Sequence, residues 1–370
     1  MVDRVRDQEP KVQIIAEAGV NHNGSVDRAH EMIRVAAACG ADVVKFQAWS
    51  AELLTSRHAD MAAYQITNTG QTASQLDLLK GLELPRRAYP DLIKTCEQCG
   101  VEFLCTPMDL PAIAFLSEIG VRNLKIGSGE VTNAPFLVEV GRTGIPSIFS
   151  TGMASVLEVK AGVGALAWGY TKREDSPSFE KCLQLFDQVR KTGELLELVT
   201  LLHCTTEYPT PFSDVNLRAM QSMQREFGLR VGYSDHTAGI NVSIAAAALG
   251  ACTIEKHFTL DRALPGPDHR ASLEPQELKE MVLAIREVEQ CLGQEVKGPA
   301  ASERKNMPIA RKSLIAARNI SQGEKFTTDN LVIKRPGNGV SPWKYWEYLG
   351  HQAKKNYSAD DLLLDQDGID

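Results

Sequence analysis

Short, β-branched apolar runs recur along the chain. Each is closed by a polar cluster and followed by a stretch whose apolar residues repeat at helical spacing. Eight such runs read as strands: Val12–Gly19, Val43–Trp49, Phe103–Pro107, Asn123–Gly129, Pro146–Gly152, Leu198–Cys204, Arg230–His236 and Cys252–Phe258. Helix-period segments lie between them at Asp27–Cys39, Arg87–Cys99, Ala134–Arg142, Val215–Phe227 and Ile240–Leu249, and Pro275–Leu292 follows the last run. Alternating strand and helix predicts parallel strands covered by helices, and eight units is the number that closes a (β/α)8 TIM barrel. An open doubly wound sheet would call for a glycine-rich phosphate turn after the first strand. Ala18-Gly-Val-Asn-His-Asn-Gly24 does not match GxGxxG.

Two connections are longer than the repeat needs. Ser50–Leu84, with Asn68-Thr-Gly-Gln-Thr72 in its middle, predicts a lid or extra helical elements, and Thr171–Leu196 predicts decoration of the barrel. The barrel is expected over residues 1–292, followed by a linker at 293–306 and a compact β-rich module at 307–370. The module's runs are Ser313–Ile320 and Leu331–Lys334, with Pro336-Gly-Asn-Gly339 as a tight turn.

Composition sharpens this in three places. With 370 residues, 43% of them hydrophobic, the chain can bury at least one large core, and 28 Gly and 17 Pro are too few for a low-complexity or collagen-like chain. The net charge of −7 gives no global pull towards nucleic acid or anionic membrane. Between Arg304 and Lys355, however, stand 11 lysines and arginines against 3 carboxylates, so the tail is basic and the remainder acidic. The first apolar stretch, Val12–Val20, is short and interrupted by Gln13 and Glu17, which is unlike a signal peptide. Ala238–Ile254 contains Asn241 and Ser243 and runs into Glu255-Lys256-His257, so a buried helix feeding a strand is expected there, not a membrane span. Of the eight cysteines only Cys96 and Cys99 form a CxxC, inside a helical run, and a reduced, cytoplasmic protein is expected.

In a barrel the inward side chains alternate along each strand, and chemistry collects at the C-terminal strand ends. Polar residues at i, i+2 there are Lys45/Gln47, Ser128/Glu130, Ser234/His236 and Glu255/His257, joined by Glu17, Lys125 and Ser150, with His203 just before Thr205. Burying so many polar groups costs free energy unless a ligand, a metal or water satisfies them. His236 and His257 are one strand–helix–strand step apart, which places them on adjacent strands about 4.8 Å apart. Such a pair can share one labile divalent metal and leave positions open for water and substrate. Lys45 and Lys125 with Ser128 and Ser150, beside Gly127, Gly129 and Gly152, suit a phosphate or a small phosphorylated carboxylate. Glu17 and Glu130 are candidate acid–base or hydroxyl-binding carboxylates, Tyr208 lies on a proline-stiffened loop, and Asp268 in the turn after the eighth strand.

Ile15-Ala-Glu-Ala-Gly-Val-Asn-His-Asn-Gly24, Val44-Lys-Phe-Gln47, Leu124-Lys-Ile-Gly-Ser-Gly-Glu130, Ser150-Thr-Gly-Met153, Gly232-Tyr-Ser-Asp-His-Thr237 and Ile254-Glu-Lys-His-Phe258 occur in this order, with Lys334-Arg-Pro-Gly-Asn-Gly339 in the tail. This set closely resembles the bacterial sialic acid (N-acetylneuraminate) synthase family, the nonulosonic acid synthases, over roughly Val12 to Gly350. The resemblance implies a (β/α)8 barrel followed by a small β-rich SAF (antifreeze-like) domain in a domain-swapped homodimer. It implies condensation of phosphoenolpyruvate with an open-chain N-acetylated hexosamine, foremost N-acetylmannosamine, to give N-acetylneuraminate and phosphate. Carried over by motif, His236 and His257 would bind a divalent metal, Mn²⁺ first and Mg²⁺ or Co²⁺ next, and Glu17 would handle protons. Lys45, Gln47, Thr106, Lys125, Ser128 and Ser150 would hold phosphoenolpyruvate, and Glu130, Tyr208, Glu255, Asp268 and Arg335 the sugar. The end of the tail, residues 355–370, departs from the family pattern by lacking a glycine turn before the last strand.

Three rivals are distinguishable. A legionaminic or pseudaminic acid synthase would keep the chemistry and take a 2,4-diacetamido-trideoxyhexose. A metal-dependent class II aldolase would consume pyruvate and release no phosphate, and a non-catalytic carbohydrate-binding protein would lack the histidines or lysines. The basic tail with Trp343, Tyr345, Trp346 and Tyr348 admits RNA binding in principle. Neither nucleic acid nor membrane is the expected partner.

Overall fold

A computed structural model describes residues 11–56, 59, 66 and 74–367. The segment Asn68–Thr72 of the predicted lid lies outside the described residues. Around it, Ser50–Leu84 contributes two short helices, Ala51–Leu54 and Gln75–Leu82. The chain divides into two compact units between Gly293 and Gln294.

The first unit is a closed parallel barrel. Its strands are β1 (Gln13–Gly19), β2 (Val43–Ala48), β3 (Glu102–Pro107), β4 (Leu124–Ile126), β5 (Ser147–Ser150), β6 (Val199–Cys204), β7 (Arg230–Asp235) and β8 (Thr253–His257), paired in sequence order, with β8 returning to β1. The helices Val26–Ala38, Tyr89–Cys99, Leu110–Glu118, Ala134–Arg142, Val156–Tyr170, Arg218–Phe227, Asn241–Ala248 and Pro275–Leu292 clothe it. Phe179–Thr192 is an additional helix within the expected decoration. Cys96 and Cys99 sit on one helix as free thiols.

Two apolar layers hold the barrel. Outward side chains such as Ile14, Val44, Phe46, Phe103, Phe149, Leu201 and Ile254 pack against the helices in the main core. Inside the barrel, Ile15, Val43, Leu104, Ile148 and Leu202 form a separate buried plug. Burying each such side chain contributes about 1.5–3 kcal/mol. Because strand side chains repeat every second residue, the next inward positions along these strands are Glu17, Lys45, Thr106, Ser150 and Cys204. At about 3.3 Å of rise per residue, this polar layer lies one pleat, roughly 7 Å, above a dry floor.

The expected fourth strand is shorter than its sequence run. Pairing ends at Ile126, and Ser128–Glu130 turn into a 3-10 helix, so Ser128 and Glu130 are not strand neighbours on one face. His203 also departs from expectation. Its Nε2 lies 2.7 Å from the Val215 carbonyl, which ties β6 to the following segment and takes no part in the polar layer.

The second unit has its own core of Leu314, Ala316, Ile320, Phe326, Leu331, Val340, Tyr348, Ala353, Tyr357 and Leu363. Its β9 (Ser313–Ala316) and β10 (Leu331–Lys334) pair antiparallel. Isolated bridges Ile315–Leu362 and Ile320–Tyr357 bring residues 357–362 back onto this unit, with no regular strand after β10 among the described residues. Among the described residues no helix is long and apolar enough to cross a membrane.

Candidate active site

The charged members of the polar layer form one connected network with Lys125 and Glu255. Lys45 Nζ stands 2.7 Å from Glu255 Oε2 and also pairs with Glu17. Lys125 Nζ lies 3.4 Å from Glu255 Oε1 and donates to Ser150 Oγ at 2.7 Å. Gln47 Nε2 donates to Glu17 Oε1 at 3.0 Å, and Ser234 Oγ to Glu255 Oε1 at 2.8 Å. All four charged groups are at most 4% exposed. With all four ionised, two lysines and two carboxylates balance, and their charges are screened by each other instead of by water.

That balance sets the ionisation of its members. Burial pulls the Lys45 ammonium down to about 7, with Glu255 opposing the shift and Lys125 reinforcing it. Burial alone would raise the Glu255 carboxyl. The Lys125 and Lys45 charges outweigh it, with hydrogen bonds from Lys45 and Ser234, and hold the group well below the usual carboxylate range.

Beside this cluster stand the two histidines. The β7–β8 register pairs Ser234 with Glu255 and Asp235 with Lys256, so His236 and His257 come next on neighbouring strand ends. Their ring centroids are 5.8 Å apart, and the Tyr208 ring lies 4.3 Å from His236 and 5.9 Å from His257. Burial lowers the His236 imidazole to about 4, and His257 is likewise pushed well below its ordinary value. Both rings are therefore neutral at physiological pH. His236 Nδ1 lies 2.7 Å from the Thr205 carbonyl. A carbonyl only accepts, so Nδ1 carries the proton and Nε2, 3.3 Å from Ser234 Oγ, carries the lone pair.

His257 Nδ1 is buried without a hydrogen-bond partner. Gly19, at φ +51°, leaves the space beside it, and a Cβ there would come within 3.4 Å of His257 Nδ1 and 3.2 Å of Glu17 Oε1. A neutral imidazole whose Nε2 has the Ser234 hydroxyl 3.3 Å away and a second imidazole with an orphaned buried nitrogen fit a divalent cation. Among the described residues no group of three or more His, Cys, Asp or Glu could hold a metal, so this pair would leave the remaining positions to water and substrate.

The other expected site residues are placed less centrally. Thr106 is opposite Gln47 in the β2–β3 register, and its buried Oγ1 has no hydrogen-bond partner. Ser128 Oγ accepts from Gly152 N at 2.9 Å and lies 3.2 Å from Cys204 Sγ, on the rim beside the cluster. Glu130 accepts from Asn133 Nδ2 at 2.6 Å, and burial raises its carboxyl. Asp268, in the loop after β8, has its carboxyl pushed up to about 6 by burial. Among the described residues, neither Glu130 nor Asp268 hydrogen-bonds to the lysine–carboxylate network. Arg335 lies in the second unit, exposed, directly after β10. Sequence reasoning missed the Thr205 carbonyl that orients His236, because a backbone acceptor leaves no side-chain signature.

A closed parallel barrel whose titratable side chains converge at the C-terminal strand ends is the architecture of a TIM-barrel enzyme. The chain belongs to the NeuB family: that family's model matches residues 32–297, and the SAF domain matches residues 311–367. It is 46% identical to N,N'-diacetyllegionaminic acid synthase of Campylobacter jejuni, across 95% of this chain and 99% of that protein. It is 39% identical to the Legionella pneumophila protein of the same name, across 95% of this chain and 93% of that protein. A crystal structure of N-acetylneuraminic acid (sialic acid) synthetase from Leptospira borgpetersenii superposes with a TM-score of 0.64 at 32% identity, covering 80% of this chain and 90% of that one. The chain is thus an enzyme of the nonulosonic acid synthases. Its higher identity is to legionaminic acid synthases, which favours the diacetamido branch over the N-acetylneuraminate product expected first from the sequence.

Proposed function

We propose that this enzyme condenses phosphoenolpyruvate with an open-chain 2,4-diacetamido-trideoxyhexose and water, giving a legionaminic-type nonulosonic acid and phosphate. The 46% identity to a diacetyllegionaminic acid synthase over nearly the whole of both chains carries the choice of acceptor. The buried lysine–carboxylate cluster beside a neutral histidine pair supports the reaction type.

In this reading Lys45 and Lys125 exchange part of their pairing with Glu17 and Glu255 for the anionic groups of phosphoenolpyruvate. Ser128, Ser150, Gln47 and the partnerless Thr106 hydroxyl supply further hydrogen bonds. His236 and His257 hold a divalent ion, Mn²⁺ first and Mg²⁺ or Co²⁺ as alternatives, which supplies Lewis acidity at the sugar aldehyde. The C2–C3 π pair of phosphoenolpyruvate forms the new carbon–carbon bond to the aldehyde carbon, and the aldehyde oxygen takes a proton. Water adds to the cationic C2 and loses one proton, and the C2–O bond to phosphate then breaks, the remaining hydroxyl proton leaving with the phosphate, to give a ketone. Glu17, pointing into the same layer as Lys45, handles the proton moved in these steps. Tyr208, Glu130, Glu255 and Asp268 position the sugar, and Arg335 joins them as a contact in a domain-swapped homodimer.

The test is phosphate release by the purified protein with phosphoenolpyruvate and Mn²⁺. Release that requires the sugar, and that disappears in a folded His236→Ala variant together with Mn²⁺ binding, is expected. Undiminished turnover by His236→Ala, or phosphate release indifferent to the sugar, would contradict the proposal.

A further inference from the structure

Behind the two imidazoles, on the outward face of the same strands, lies a second buried ion pair. Asp235 and Lys256 are register partners on β7 and β8, 3.0 Å apart and 0% and 1% exposed. Asp235 immediately precedes His236, and Lys256 immediately precedes His257. Three further bonds converge on Thr237, the residue that follows His236. Asp235 Oδ1 accepts from both Thr237 N at 2.9 Å and Thr237 Oγ1 at 2.8 Å. Lys256 Nζ donates to the Thr237 carbonyl at 2.6 Å, and Ser243 Oγ, on the helix Asn241–Ala248, donates to Asp235 Oδ2 at 2.6 Å.

Replacing a buried ion pair by apolar side chains is often neutral or stabilising, so net stability is a weak reason for this one. Its geometry supplies a better reason. The strand end carrying His236 is clamped on both sides: Asp235 closes a side-chain turn across it, and Lys256 ties the far side to the strand that carries His257. Each imidazole then depends on the same salt bridge for where its backbone sits.

We propose that Asp235 and Lys256 are positioning residues that set the separation and orientation of the His236 and His257 rings. The proposal rests on the metal-site reading above only in one of its two readouts. The first is Mn²⁺ affinity, followed by the paramagnetic resonance of free Mn²⁺. The second needs no metal: the imidazole Nδ1–H of His236, bonded to the Thr205 carbonyl, followed as a downfield proton resonance in metal-free protein.

Asp235→Leu combined with Lys256→Met removes both charges and leaves no buried ion uncompensated. It should weaken Mn²⁺ binding by about 10- to 100-fold, the range typical of lost outer partners of metal ligands, and broaden the His236 N–H signal. Asp235→Asn with Lys256→Met keeps an acceptor for Thr237 and should give an intermediate loss, which also serves if the first variant does not fold. Asp42→Asn, at the other end of the barrel where Asp42 pairs with Arg286 at 2.6 Å, should lower stability and leave both readouts unchanged. Folded double variants with wild-type Mn²⁺ affinity and an unchanged His236 signal would overturn the proposal, as would equal losses in Asp42→Asn. If wild-type protein bound no Mn²⁺, the metal reading would fall and the His236 resonance alone would decide the positioning role.

Discussion

Glu255 is the carboxylate on which the neutrality of the polar layer turns, so Glu255→Gln is an informative perturbation. The residue is 4% exposed, and its carboxylate is bound by Lys45 at 2.7 Å, Lys125 at 3.4 Å and Ser234 at 2.8 Å. The amide preserves the shape and removes the charge, leaving Lys125 without its carboxylate and Lys45 with Glu17 alone in a dry layer. Removing one partner of a buried ion pair costs about 3–5 kcal/mol. Lys45 retains Glu17, which places the cost towards about 3 kcal/mol. At roughly 2–4 °C per kcal/mol for a unit of this size, the melting temperature should fall by about 6–12 °C. The defect is a missing negative charge, so phosphoenolpyruvate should restore part of it and raise the melting temperature of Glu255→Gln by more than that of the wild type. Thermal unfolding of both proteins with and without phosphoenolpyruvate measures this. A variant melting within about 2 °C of wild type, or an equal ligand shift in both, would refute the charge-balance reasoning.

Other consequences follow from individual residues. Burial raises the Asp268 carboxyl to about 6, so the folded chain binds more protons than the unfolded one between its ordinary value and about 6. Stability from this group is therefore lost as pH rises through that window, and Asp268→Asn should flatten that part of the pH–stability profile in denaturant melts from pH 4 to 7. Gly19→Ala forces a side chain into φ +51° and against Glu17 and His257, which should cost about 1–2 kcal/mol and weaken Mn²⁺ binding. Stability without metal affinity being affected would argue against that packing. Arg335→Ala should raise the KM for the sugar more than that for phosphoenolpyruvate; equal effects on both would remove Arg335 from sugar recognition.

Much of the barrel was legible because it obeys a period of two. Inward positions change from Ile15, Val43, Leu104 and Ile148 to Glu17, Lys45, Thr106 and Ser150 in one step along four strands, and that shift marks the mouth without any contact map. The helix Val156–Tyr170 was harder to see. Ten of its residues are buried, so it has no polar face to give a helical period. Its glycines admit neighbouring backbones: a Cβ on Gly164 would lie 2.0 Å from the Cys182 carbonyl, and one on Gly169 2.2 Å from that of Val138. Ser128 and Glu130 kept the right spacing for a strand but bend away after Ile126, since hydrogen-bonded turns interrupt alternation without changing residue type. Asp235 and Lys256 were visible only as charges flanking histidines. That they point away from the mouth follows from the same period of two, but that both grip Thr237 needs the fold. Discrimination among acylated sugars depends on the shape of a pocket, which residue types along the chain do not encode, so the proposed diacetamido acceptor rests on likeness to relatives.

The most direct test of the account is a side-by-side measurement of kcat/KM for phosphate release from phosphoenolpyruvate with 2,4-diacetamido-2,4,6-trideoxymannose and with N-acetylmannosamine, the products being identified by mass. The account predicts a clear preference for the diacetamido sugar and a product mass equal to sugar plus phosphoenolpyruvate plus water minus phosphoric acid. Preference for N-acetylmannosamine would contradict the proposed acceptor, and no coupled phosphate release with either sugar would contradict the proposed reaction.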